Sequence, residues 1–417
     1  MKTPLLISFF LLAFSINAQK LTIDEFLRSA DNDYKLKNHS ELVDYFDNSS
    51  TSTPFLDKIE FRAELEDFED FDQQYSLRFY PKGWGETKSG NKVAQIKKKE
   101  NKIEHEEYFN SALEERYELL LSYLETTALL QKHKDLLNVY KDRVTVLNNM
   151  AHTAEEFDVI TIISAEDKLI DLQLDIVRLE DGLTNITHKI RTVTGKKIEI
   201  GFDEKKIISV TDIKKLLPDT EAHPNIDNIY IRNRKLKIEL AKSKYELEVA
   251  KTRDYISFFK LDYKTEDYKE PNKSFSIGMG FKLPFINPDR DDINQRKADH
   301  IEEKLKLEYA LRANSEKITS ITRSMNRMFA QYDILSERTK SGNAATSFKK
   351  YMEMEGINPI TLLKLKESML KSDMRLIKNR TNIRLKYIQL LNVLGKLTEK
   401  PIKNYLSSKK EPLNAQK

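Results

Sequence analysis

The sequence predicts a mainly α chain with a small β portion, built as two pseudo-repeats. Three observations carry that reading. The two halves align at a constant shift of 200 residues, a seven-residue apolar period closes each half, and four short segments alternate apolar with polar residues.

The composition fits long helices. Of the 417 residues, 39% are hydrophobic and 33% charged, against averages of about 45–50% and 25%. Gly and Pro number only 11 each, so tight turns are few. Leu, Ile, Phe and Tyr recur along the whole chain, which argues against disorder. Lys and Arg total 70 against 66 Asp and Glu, and the two signs are interleaved. That pattern gives no clustered basic face, so no nucleic-acid partner is expected. The absence of cysteine excludes disulfides, thiolate metal sites, Cys nucleophiles and a lipidated N-terminal Cys.

The N-terminus reads as a secretory signal over residues 1–18. Lys2 precedes the apolar run Leu5 to Phe14, and Ser15-Ile16-Asn17-Ala18 leads to the cut before Gln19. No later run of about 18 apolar residues occurs. A β-barrel is then the only way the mature chain could span a membrane.

The repeat is visible in matched positions. Val193-Thr194-Gly195-Lys196 matches Val393-Leu394-Gly395-Lys396, and Asp158-Val159-Ile160-Thr161 matches Asn358-Pro359-Ile360-Thr361. Ile162, Leu169, Ile176, Leu183 and Ile190 are spaced by seven, as are Leu362, Met369, Leu376, Ile383 and Leu390. A heptad period signals helices packed in coiled-coil geometry. Each half runs helix, two strands, long helix, return helix. The long stretches, about Val93 to Met150 and about Asp291 to Phe348, would each span roughly 90 Å. The return helices end at Gly195 and Gly395, which suit a left-handed C-terminal cap.

The segments therefore read as an N-terminal helical segment 19–54, strands one and two at 55–80, and a helical hairpin at 91–195. A linker at 196–222, a helix at 223–254, strands three and four at 255–285, a second hairpin at 289–395 and a tail at 396–417 follow.

In the strands, Ile59, Phe61, Ala63 and Leu65 alternate with charged residues, and Tyr75, Leu77 and Phe79 alternate with Ser76 and Arg78. Phe259, Leu261 and Tyr263 alternate with Lys260, Asp262 and Lys264; Phe275, Ile277, Met279, Phe281 and Leu283 alternate with Ser276, Gly278, Gly280 and Lys282. A half-buried sheet on a soluble core and a membrane barrel both fit this period. The helices spend their apolar seams on one another, which leaves little to cover such a sheet. In a barrel the polar face must line the lumen, because Lys or Arg facing mid-membrane lipid costs about 2–4 kcal/mol. Lys58, Glu60, Arg62, Lys260, Asp262 and Lys264 are the lumen candidates. Four strands cannot close a barrel, so several copies are required; a dimer supplies eight strands and a trimer twelve.

With these features in place, the chain resembles the TolC family of outer-membrane efflux proteins. The stretches that carry the likeness are Leu21-Thr22-Ile23-Asp24-Glu25, His223-Pro224-Asn225-Ile226, the strand from Phe275 to Phe285, and Gly356-Ile357-Asn358-Pro359-Ile360-Thr361-Leu362-Leu363. Their order covers nearly the whole mature sequence. The resemblance implies a homotrimer with a 12-stranded barrel in the bacterial outer membrane and a helical tunnel in the periplasm. It implies a passive, gated conduit for an efflux pump or type I secretion system. A periplasmic adaptor and an inner-membrane transporter would be its partners, and outer-membrane lipid its surroundings. Two departures stand out: the first helix, Ile23 to Asn48, is short, and Glu156 replaces the glycine found at Gly356.

No catalytic constellation, metal set or cofactor motif is evident. His39, His105, His133, His152, His188, His223 and His300 are scattered, and Gly278-x-Gly280 lies in a strand. The expectation is a non-enzyme without cofactors. The tip and gate candidates are Glu155, Glu156, Asp158, Glu353, Glu355, Gly356 and Asn358. Carboxylates repeated around an axis form cation-favouring rings; the same residues also fit ordinary charge at helix N-termini. A periplasmic coiled-coil scaffold or adhesin with a small soluble β-domain is the alternative reading.

Overall fold

The computed structural model describes residues 20–49, 52–67, 72–152, 158–222, 228–253, 255–264, 274–282, 290–340, 358–407 and 412–413. In the first half, α1 (Ile23–Arg28) and α2 (Tyr34–Asn48) lead to strands β1 (Leu56–Asp67) and β2 (Asp72–Pro81), then to α3 (Trp84–Ala151) and α4 (Val159–Thr194). After α5 (Val210–Ala222) the order recurs as α6 (Ile229–Thr252), β3 (Ile256–Lys264), β4 (Phe275–Phe281), α7 (Arg290–Lys340) and α8 (Pro359–Val393).

Local chemistry sets many boundaries. Thr22 and Glu25 form a reciprocal capping box at α1. The Asp158 and Asn358 side chains accept from the Ile160 and Ile360 amides, starting both return helices in the same way. Gly195 and Gly395 take φ of 65° and 71° at the ends of those helices, the left-handed geometry their sequence position predicts.

Three boundaries differ from the sequence expectation. The first helix is two helices, broken by a 3₁₀ turn at Ser29–Asn32. Asp33 restarts the chain by capping Lys35, and the Arg116 guanidinium fills the break, donating to the Ser29 carbonyl and the Asp33 carboxylate. Helix α3 starts at Trp84, nearer the sheet than expected. Its first turns contain Gly85, Ser89 and Gly90, poor helix formers, but Gly85 lies against Ala250 of α6 and Asn91 accepts from the Thr53 amide. Tertiary contact overrides propensity there. The linker 196–222 contains α5, whose Val210, Ile213 and Leu217 are buried.

The helices pack α3 on α4, α6 and α8, and α7 on α6 and α8. Apolar contact concentrates at three levels. Near the sheet, Ile96 of α3 meets Leu236 and Leu240 of α6. At mid-length a large cluster joins α1, α3, α5 and α8, including Phe26, Leu113, Leu120, Ile213 and Ile383, with Leu397 and Leu406 of the C-terminal segment. Towards the tips, Leu136, Val139 and Tyr140 of α3 meet Leu172 of α4 and Leu370 of α8. The mid-length belt is tied by backbone bridges Leu21–Ile200 and Ile207–Ser407. Here Arg116 is wholly buried, held by Asp33, Ser29 and the carbonyls of Ala112 and Val193. Burial pushes the Tyr387 and Tyr405 phenols up to about 12.

The strands form one antiparallel sheet in the order β1-β2-β3-β4. Strands β2 and β3 pair, so the sheet joins the hairpins of the two halves. Phe61, Leu77, Leu261 and Ile277 make one cross-strand row.

Candidate functional site

The sheet is inside-out for a protein in water. Its apolar face is open: Ile277 is 83% exposed, Phe275 67% and Phe61 65%. Its polar face is sheltered over β2 and β3, with Ser76 only 5% exposed, while Lys58 and Arg62 on the edge strand β1 are exposed. Aromatic rings band both ends of the open face. Phe61, Tyr75, Tyr263 and Phe275 run as neighbouring ring pairs at centroid spacings of 6.1, 6.5 and 4.9 Å. Phe79, Phe259 and Phe281, with Trp84 and Tyr255, lie at the helix end. Aromatic residues gathered towards the two ends of an apolar face, here either side of the row Phe61, Leu77, Leu261 and Ile277, are the distribution that lipid and its two interfaces select.

The six polar-face candidates fall on even-numbered positions of β1 and β3, hence on one side. They are wired together. Glu60 accepts from Arg62 Nε at 2.7 Å and pairs with Lys58 Nζ at 3.1 Å; Tyr80 Oη also donates to it, at 2.8 Å. Lys260 Nζ lies 2.8 Å from Asp262 Oδ2, which accepts from Ser276 at 3.4 Å. Lys264 stands opposite Gln74. Lys58 also sits over the Tyr80 ring, 5.1 Å from its centroid.

Three participants were absent from the sequence candidates. Arg78 stands in register between Glu60 and Lys260. Its guanidinium lies 5.4 Å from the centroid of Phe258, an apolar residue on the polar face. Phe258 fits because its partner is Gly280: a Cβ there would come within 2.4 Å of the ring. Period two already put Arg78 on this face. Nothing in the sequence showed how the neighbouring carboxylates are engaged.

At the tips, Asp158 and Asn358 act as N-caps, and Asp158 also accepts from the Thr161 hydroxyl at 3.2 Å. Glu155, Glu156, Glu353, Glu355 and Gly356 lie outside the described residues. Along the helices towards that end, Glu367 of α8 accepts from Tyr140 at 2.6 Å and pairs with Arg143 at 3.4 Å. Burial works to raise the Glu367 carboxyl, but Lys371, Tyr140 and Arg143 hold it below the usual range. The histidines are less scattered in space than in sequence. His39 and His105 face each other at 5.8 Å between α2 and α3, and burial together with His39 lowers His105. Among the described residues no His, Asp and Glu group is arranged to hold a metal ion, and no helix is long and apolar enough to cross a membrane.

The architecture is shared with solved structures. The outer membrane protein VceC from Vibrio cholerae aligns with a TM-score of 0.63 at 11% identity, covering 89% of this chain and 96% of that one. The open state of the MtrE outer membrane channel of Neisseria gonorrhoeae gives 0.64 at 11% identity over 89% and 88%. CusC gives 0.65 at 10% identity over 89% and 92%. The chain has the fold of these outer-membrane channels. No protein-family model matches the sequence, and no curated protein matches it. At such identities the fold is retained while nearly every side chain differs.

Proposed function

We propose that the chain is one subunit of an outer-membrane channel-tunnel, a passive gated conduit from periplasm to exterior. The observation that carries this is the sheet: its apolar face is uncovered, and among the described residues β1 and β4 each pair on one side only. In hydrocarbon, unpaired backbone groups cost several kcal/mol each, so the edges must meet those of other copies. Three copies would close a 12-stranded barrel with Lys58, Glu60, Arg62, Lys260, Asp262 and Lys264 around the lumen. The aligned outer-membrane channels support that reading.

The helices carry matching surface. Val159, Ile160, Ile163, Ile170, Leu174 and Val177 leave an exposed apolar stripe on α4, and Ile301, Leu305 and Tyr309 another on α7. Such stripes are suited to a neighbouring subunit. The tunnel would reach into the periplasm and dock an adaptor of an inner-membrane transporter, which supplies the energy. Asp158 and Asn358 serve first as helix caps, so a carboxylate gate falls to Glu155, Glu156, Glu353 and Glu355. A soluble scaffold is disfavoured, since nothing in the described chain covers the apolar face.

Purification of the full chain in detergent tests the reading. Trimers that conduct in planar bilayers are expected. A monomer that stays soluble without detergent would refute it.

A further inference from the structure

We propose that Arg78, through an unneutralised guanidinium on the polar face of the sheet, makes the barrel lumen favour anions and outweighs the cation-favouring carboxylate gate in series with it at the tips, so that the channel as a whole prefers anions. This rests on the lumen reading above and names the permeant class it selects. Carboxylates are present on that face, but none is bonded to Arg78: both Glu60 oxygens and Asp262 Oδ2 are engaged elsewhere, Asp262 Oδ1 is buried without a partner, and Glu64 stands opposite Gln74, two cross-strand positions further along β1. Glu60, directly opposite Arg78, takes Arg62 on one oxygen and Lys58 with Tyr80 on the other. Asp262 takes Lys260. On its other side Arg78 faces Lys260, a like charge. Among the described residues no carboxylate pairs with Arg78, and its Nε is buried without a hydrogen-bond partner.

The placement is built in. Phe258 supports the guanidinium from below, and Gly280 leaves the room that Phe258 needs. A cation held on an aromatic face keeps its charge and its outward N–H donors. Towards the helices, the next cross-strand position holds Lys58 and Tyr80. Around a closed barrel the Arg78 side chains would repeat as a ring. A ring of arginines in a narrow aqueous pore attracts anions and repels cations.

The test is the reversal potential of reconstituted full-length channels in a KCl gradient, with chloride as the probe anion. Wild type is expected to favour chloride. Arg78→Gln should lower the chloride-to-potassium permeability ratio several-fold, and Arg78→Lys should keep most of it. A wild-type preference for potassium, or an Arg78→Gln channel with the wild-type ratio, overturns the proposal and leaves the channel reading intact. The wild-type sign decides the matter even if Arg78→Gln does not assemble. Trimers without any conductance would instead remove the channel reading itself.

Discussion

The mid-length belt and the four-stranded sheet obey opposite rules within one chain. In the belt, Phe26, Leu113, Leu120 and Ile383 are buried, and the buried charges Arg116 and Arg384 are paired, with Asp33 and Glu204 respectively. In the sheet, Phe61, Phe275 and Ile277 face outward and Glu60, Arg78 and Asp262 are sheltered. The lesson is that apolar residues follow the solvent. The belt folds against water, where burial of apolar surface stabilises at about 25 cal/mol per Å². The sheet gains nothing by burying its apolar face if hydrocarbon is already there. What it must hide is polarity and open strand edges.

The largest expected effect lies in the belt. Arg116→Met removes the guanidinium that donates to Asp33 Oδ2 and to the carbonyls of Ser29, Ala112 and Val193. A loss of about 3–5 kcal/mol is expected, as for breaking a buried ion pair, read as a lower denaturation midpoint. A midpoint unchanged from wild type would mean that the belt does not depend on this knot.

The second test breaks the contrast directly. Ile277→Lys puts a charge at the most open apolar position of the sheet. Folding into lipid bilayers should lose about 2–4 kcal/mol, the cost of Lys in mid-membrane. If that face meets water, the variant will be as stable as wild type and the contrast fails.

The smallest effect concerns the paired tips. Asp158→Ala and Asn358→Ala should each cost about 1 kcal/mol, seen as faster amide exchange in the first turns of α4 and α8. Similar losses would confirm that the two return helices start alike; a much larger loss at one would show that its cap carries other contacts.

Much of this was legible without coordinates. The shift of 200 placed Gly195 with Gly395 and Asp158 with Asn358, and both pairs do the same work in space. Period two assigned the strand interiors to their faces, because alternation is a property of the extended backbone, and it fails only at the register shifts Leu56/Lys58, Leu65/Asp67 and Ile256/Phe258. The break at Ser29–Asn32, the early start of α3 and the helix at Val210–Ala222 were not legible. Each depends on a distant partner: Arg116, Ala250 and the belt core.

By itself the sequence determined the repeat, the helical seams and the two faces of the sheet, since all three follow from spacing along one chain. Only tertiary structure decided which charges on the polar face are neutralised. Glu60 binds Lys58 and Arg62 along its own strand, leaving Arg78 opposite it with an aromatic ring. Cross-strand register and rotamer set that choice, and neither is written in the spacing of residues.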